Sequence, residues 1–219
     1  MSPARTARPR VMVVEDDAFT RTTLCAALRG CGVNVVADTA SAAQALDLAA
    51  SHEPHAALLD LDLGPGPNGI DVAIALREAF PTVGIVILTG YSDPRLTGRN
   101  VEALPGGTMY LTKGELSSAD VLARALDTSM RLASDPRASA VSVQPRPRGS
   151  TARLTDTQVE VARMVADGLS NAEIAARRQV SPATIERIIQ RIARELGIDT
   201  TSATNRRVLI AREFLRQGS

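Results

Sequence analysis

The chain has 219 residues, 44% of them hydrophobic and 22% charged, which is enough for one large or two modest domains and for a buried core. Its net charge of +1 divides unevenly: residues 1–135 carry 11 basic and 16 acidic side chains, residues 136–219 carry 14 and 8, so an acidic module precedes a basic one suited to nucleic acid. No apolar run reaches the ~18 residues of a membrane span; Cys25 and Cys31 make no disulfide framework or four-ligand zinc site, and His52 and His55 come without a catalytic cysteine or an elbow serine.

The N-terminus, MSPARTARPR, has no apolar stretch behind its arginines, so no secretory leader is expected and the expected compartment is the cytoplasm. From Val11 to about Ala133, strand-like and helix-like segments alternate. Val11 to Val14 is a short apolar run ending in Glu15, Asp16 and Asp17, and a helical stretch follows to Arg29, closed by Gly30. Val33 to Ala37 predicts a second strand and Ser41 to Ala50 a helix. Ala56 to Leu59 leads into Asp60, a Gly/Pro loop covers 64–69, and a helix runs to about Phe80. Val83 to Leu88 is the strongest strand signal and ends in Thr89. A helix is expected near 94–103, then a strand from Thr108 to Leu111, then Thr112 and Lys113, and a last amphipathic helix from Ser117 to Ala133. Such alternation predicts a parallel α/β sheet.

Ligands of a parallel sheet gather at the carboxyl ends of its strands. Here those ends carry Glu15, Asp16, Asp60, Thr89 and Lys113. Three converging carboxylates repel one another unless a hard cation sits among them, and Mg²⁺ suits a site of few carboxylates, waters and phosphate. The hydroxyl and the ammonium could bind phosphoryl oxygens beside it. Lys113 is the only lysine among 25 basic residues, which suggests that a compact point charge is required there.

Val14-Glu15-Asp16, Leu58-Leu59-Asp60, Leu88-Thr89-Gly90 and Tyr110-Leu111-Thr112-Lys113 together resemble the receiver domain of two-component response regulators over residues 10–133. The resemblance implies a flavodoxin-like fold with sheet order 2-1-3-4-5. It implies that Asp60 accepts a phosphoryl group from a sensor histidine kinase. Glu15, Asp16 and Asp60, with the backbone carbonyl of Asp62, would hold Mg²⁺; Thr89 and Lys113 would bind the phosphoryl oxygens, and Tyr110 would be the aromatic switch. Two features depart from the family. Pro65 and Gly69 lie five and nine residues after Asp60 rather than four and eight, so the loop is one residue longer. Gly114 stands where many relatives place a proline.

Asp60-x-Asp62, Thr89 and Lys113 also resemble motifs of haloacid-dehalogenase-like phosphohydrolases. That family wants its paired aspartates on the first strand and a further acidic pair after the lysine; here the acidic pair comes first.

Residues 134–150 hold three prolines and three arginines with almost no large apolar residue, a linker composition. From Leu154 the pattern is helical. Thr155-x-x-Gln158 and Ser170-x-x-Glu173 are capping-box signatures, and Ser181 before Pro182 places an N-cap ahead of a first-turn proline. The third helix carries Ile185, Ile188, Ile189, Ile192 and Leu196 at the spacing of a buried stripe, with Arg187, Gln190, Arg191 and Arg194 opposite. A fourth helix is expected over about 205–216. Gly168 to Ala175 and Ser181-x-x-Thr184-Ile185 resemble the helix-turn-helix of the LuxR/NarL family, which implies a small all-α DNA-binding domain over 151–219, usually dimeric. Arg187 and Gln190, early on the polar face, are expected to reach base edges, and Arg191 and Arg194 to hold phosphates; Thr184 of the motif is grouped with them as DNA-binding. Glu186 stands where the family commonly has lysine.

The expectation is a DNA-binding response regulator rather than an enzyme, phosphorylated on Asp60, with Mg²⁺ as cofactor. Its expected partners are a sensor histidine kinase, double-stranded DNA and a second copy of itself, with no membrane. The alternatives are the phosphohydrolase and a signalling regulator whose helices bind protein instead of DNA.

Overall fold

In the computed structural model the described residues are 8–91, 94–98, 103–135, 150–198 and 205–217. By packing they fall into two units, one formed by residues 1–89 and 100–144, the other by residues 90–99 and 145–219.

The first unit is a five-stranded parallel sheet of order β2-β1-β3-β4-β5, the order expected of a flavodoxin-like receiver. Its strands are β1 (Arg10–Val14), β2 (Asn34–Thr39), β3 (Ala56–Asp60), β4 (Gly84–Thr89) and β5 (Met109–Thr112). They alternate with the helices α1 (Ala18–Gly30), α2 (Ala42–His52), α3 (Gly69–Ala79) and α4 (Ala119–Ser134). A sheet covered on both faces needs apolar residues at every central position, and β1, β3 and β4 supply them. Met12, Val14, Ala57, Leu59, Ile85 and Ile87 enter a core with α2 and α3 residues such as Ala45 and Leu76. Their alternates Val11, Val13, Leu58, Val86 and Leu88 enter a second core with Leu24 and Leu28 of α1 and Leu122 and Leu126 of α4. The period-two alternation of strand side chains builds both layers from one sequence.

In the second unit four helices, α5 (Asp156–Ala166), α6 (Asn171–Arg178), α7 (Pro182–Glu195) and α8 (Arg206–Gln217), enclose a core of Val161, Ile174, Ile185, Ile192, Ile210 and Phe214. Three helix starts are capped as their sequences predict. Thr155 and Gln158, and Ser170 and Glu173, form reciprocal capping boxes, and the Ser181 hydroxyl accepts from Thr184 N at 3.2 Å ahead of Pro182. The turn from α6 to α7 puts Gln179 in the left-handed region at φ 54°, and Val180 N donates to Ala175 O at 3.0 Å.

The helix expected near 94–103 is not continuous. Pro94–Thr97 form a single 3-10 turn, and Gly98 follows at φ 65°, a conformation that ends helical propagation. Residues 99–102 of that expectation, 136–149 of the linker and 199–204 before α8 lie outside the described residues.

The junction of β3 with α3 is the tightest in the sheet unit. A Cβ built on Gly69 would stand 2.1 Å from the backbone oxygen of Asp60, while one on Gly30 would meet nothing within 4 Å. Gly69→Ala is therefore expected to cost about 2–4 kcal/mol in urea unfolding, since backbone must move to admit the methyl. Gly30→Ala, at the end of a helix, should be neutral or stabilising by up to ~1 kcal/mol.

Candidate functional site

The carboxyl ends of β1, β3 and β5 converge where the strand order reverses, and each delivers a charged group there. Carboxylate oxygens of Glu15, Asp16 and Asp60 all lie within 4.8 Å of one another. Glu15 and Asp60 are 1% and 7% exposed, whereas Asp16 is exposed. The Lys113 ammonium bridges the two buried ones, 3.0 Å from Glu15 Oε2 and 3.2 Å from Asp60 Oδ2. Thr89, at the end of β4, is 1% exposed, and Tyr110 of β5 is half-buried against the α2/α3-side core. Asp62 is exposed in the loop beyond Asp60.

Local structure explains how the acid pair is shared out. Asp17, not Asp16, caps α1: its Oδ1 accepts from Thr20 N at 2.7 Å, which holds its carboxyl below the ordinary aspartate value. Asp16 is thereby left for the site. The longer loop after Asp60 is absorbed by Gly64 and Gly66 at φ 74° and 114°. Asn68 then closes it, accepting from Ile70 N at 2.8 Å and donating its own N–H to Asp71 Oδ2 at 2.9 Å, so α3 starts against Asp60 in spite of the extra residue. After Lys113, where a proline would stiffen the chain, a 3-10 turn over Lys113–Glu115 does so instead, with Thr112 N donating to Glu115 Oε2 at 2.9 Å.

In the helical unit α7 divides as expected into two faces. Ile185, Ile189 and Ile192 are buried, and Ala193 joins them, while Ile188 and Leu196 are half-buried. Arg187, Gln190, Arg191 and Arg194 are all exposed, as is Glu186. Thr184 is half-buried; its hydroxyl lies 2.9 Å from Ser181 Oγ and 3.4 Å from Arg187 Nη2, and so helps aim Arg187. Sequence reasoning passed over two groups of this molecule's sites: Arg21, whose signal is a lone cation one turn after the acidic run, and the Thr112/Glu115 pair, visible as a T-x-x-E spacing.

Comparison with known proteins agrees with this division. Residues 11–125 match the response regulator receiver domain, and residues 152–210 match the bacterial regulatory proteins of the luxR family. The chain is 29% identical over 214 residues to the probable transcriptional regulatory protein NarL of Mycobacterium tuberculosis, covering 93% of this chain and 94% of that one. It is 31% identical over 199 residues to the nitrate/nitrite response regulator protein NarP of Escherichia coli, covering 86% and 89%. An RcsB–DNA complex shares the fold at 18% identity and a TM-score of 0.56, over 96% of this chain and 99% of that one. The chain is a response regulator of the NarL type. It is a DNA-binding transcriptional regulator with a receiver and a helix-turn-helix domain, and its family is one of transcription factors, not enzymes. No helix among the described residues is long and apolar enough to cross a membrane.

The electrostatics of the regulator's acidic site are unbalanced. Burial, the largest effect, pushes the Asp60 carboxyl up to about 7; Lys113 pulls it down and Glu15 pushes it up again. Burial also works against the Lys113 ammonium, but Asp60 and Glu15 outweigh it and hold its pKa above the ordinary lysine value. One ammonium thus pairs with two of the three clustered carboxylates, and the shortfall of positive charge is what a divalent cation would supply. Carboxylate oxygens at this separation could hold a metal ion, and as hard donors they suit a divalent cation such as Mg²⁺ in kind.

The shift has a sign. Between an unfolded value of 3.8 and a folded value of about 7, the folded Mg²⁺-free protein keeps a proton that the unfolded chain has released, so stability falls as pH rises through that window. Asp60→Asn removes the effect. In Mg²⁺-free buffer the mutant should melt above wild type at about pH 8, and the gap should shrink toward about pH 5; thermal melts across that range check it.

Proposed function

We propose that this regulator is switched by phosphorylation of Asp60. The single observation that carries the reading is a buried strand-end carboxylate held 3.2 Å from the only lysine, with Glu15 and Asp16 oxygens within 4.8 Å of its own. The donor is a phosphohistidine of a sensor histidine kinase. An Asp60 carboxylate oxygen forms the new bond to phosphorus, the phosphorus–nitrogen bond breaks, and the imidazole nitrogen leaves with the electron pair. Glu15, Asp16, Asp60 and the Asp62 carbonyl would hold Mg²⁺, which when bound would neutralise charge on the transferred group. Lys113 turns from the free carboxylates to a phosphoryl oxygen, the Thr89 hydroxyl donates to another, and Tyr110, half-buried on β5, senses the move. The phosphohydrolase reading fails on order, since Glu15 and Asp16 precede the aspartate that would be its nucleophile.

The exposed arginine face of α7 supports entry into the DNA major groove. Arg187 and Gln190 read base edges there, and Arg191 and Arg194, later on the helix, hold phosphates. Thr184, at the helix start, steadies Arg187. The working form is a homodimer. Val208 and Leu215, seven residues apart on α8, are 60% and 61% exposed, a spacing suited to pairing with a second copy. RcsB, which shares the fold, has been solved as dimers bound to DNA. The cytoplasm, where the DNA lies, is the compartment of action.

Two measurements test the reading. With a phosphohistidine donor or a small phosphoryl donor and Mg²⁺, wild type should take up base-labile label, and Asp60→Asn should take up none while keeping its fold; full labelling of the mutant would sink the assignment. On the preferred duplex, Arg187→Ala should cost about 1–3 kcal/mol and flatten preference at one base pair. Arg194→Ala should weaken specific and scrambled duplexes alike and lower the salt slope by about one. Identical behaviour of the two mutants would contradict the division between base reading and phosphate holding.

A further inference from the structure

Glu15 and Asp16 are consecutive residues leaving β1, and consecutive strand side chains point to opposite faces of a sheet. Both nevertheless bring a carboxylate oxygen within 4.8 Å of one on Asp60. The backbone must therefore turn between them and stay turned. Glu15 N is held by Thr39 O at 3.1 Å, Asp17 is held by its cap on α1, and Asp17 N donates to Glu15 Oε1 at 3.4 Å, but none of these bonds holds the carbonyls of Glu15 and Asp16. The Arg21 guanidinium does. Its Nη1 donates to Glu15 O at 2.6 Å and to Asp16 O at 3.3 Å, and its Nε stands 3.4 Å from Asp38 Oδ2 in β2. The Arg21 side chain is 21% exposed and that of Asp38 45%, so the bond to Glu15 O is partly sheltered while the other contacts lie nearer water.

We propose that Arg21 is a positioning residue for the divalent-cation site. By fixing both carbonyls it sets the direction of the Glu15 and Asp16 side chains, and Asp38 both aims the guanidinium and offsets a charge that would otherwise repel the ion. The inference rests on reading Glu15, Asp16 and Asp60 as an Mg²⁺ site. One nitrogen, Nη1, reaches both carbonyls while Nε faces the carboxylate, and an ammonium, with a single nitrogen, reproduces only part of that. The effect belongs with partners that orient metal ligands without touching the metal.

The test is Mg²⁺ titration of the full chain by calorimetry, together with the Mg²⁺ dependence of phosphoryl uptake from a small donor. Arg21→Met should bind Mg²⁺ about tenfold more weakly, Arg21→Lys should fall between it and wild type, and Asp38→Asn should weaken binding less than Arg21→Met. Uptake by Arg21→Met should return toward the wild-type rate once Mg²⁺ is saturating. Wild-type affinity in Arg21→Met overturns the proposal, and so does a loss of uptake that saturating Mg²⁺ does not restore, because that marks a general structural role. If Arg21→Met does not fold, Asp38→Asn decides, and unchanged affinity there overturns it. No Mg²⁺ binding by wild type overturns the cation site itself, an outcome separate from Arg21.

Discussion

Everything in the sheet unit is arranged around one ammonium facing two buried carboxylates. Glu15 and Asp60 are almost wholly withdrawn from water, and a buried carboxylate is costly unless it is paired. Lys113 pairs both, so removing the ammonium would leave two buried carboxylates without their cation, which is far worse than never having buried them. Three strands must end at the same edge, in register, for the contact to exist. The pairing of Val14 with Leu59 and of Asp60 with Leu88 aligns those ends. The apolar cores on either face hold the strands in place, and the charged edge gathers the three carboxylates that could hold a metal ion.

Much of this was legible in the sequence because the signals are chemical rather than statistical. Polar residues that recur where apolar runs stop mark the edge of a parallel sheet, and Glu15, Asp16, Asp60, Thr89 and Lys113 all do so. The helix starts at Thr155, Ser170 and Ser181 were equally plain, since a hydroxyl three residues before its partner satisfies a donor that the helix leaves open. What escaped depends on tertiary placement. Nothing local says whether Asp16 or Asp17 caps α1; only the converging strands decide it. The segment after Thr89 carries helix-favouring residues, but a proline and a glycine at positive φ bracket a single turn.

The loop after Asp60 shows how the chain brings α3 against the Asp60 carbonyl. The critical quantity is not the spacing from Asp60 to the glycine but the approach of α3 to the Asp60 carbonyl, where no Cβ fits. Two glycines in left-handed conformations take up the extra length, and the Asn68/Asp71 capping box fixes where the helix begins. Gly114 tells the same story at β5. After Lys113 the chain relies on the Thr112/Glu115 pair, so the turn carrying Lys113 is held by a 2.9 Å hydrogen bond.

The two cations that serve the acidic edge differ for a physical reason. In a chain that otherwise uses arginine for every positive charge, Lys113 meets two carboxylate oxygens on different strands, at 3.0 and 3.2 Å. A compact ammonium with three rotatable donors can sit between such oxygens and later turn to a third; a guanidinium, wider and planar, would have to push the strands apart or choose one partner. Arg21 faces the opposite demand. Its Nη1 donates to two carbonyls on successive peptides while its Nε faces a carboxylate on β2, so two nitrogens of one rigid group are in use. The head group at each position fits its partners: a compact ammonium between two carboxylates on different strands, and a guanidinium where two nitrogens are in use.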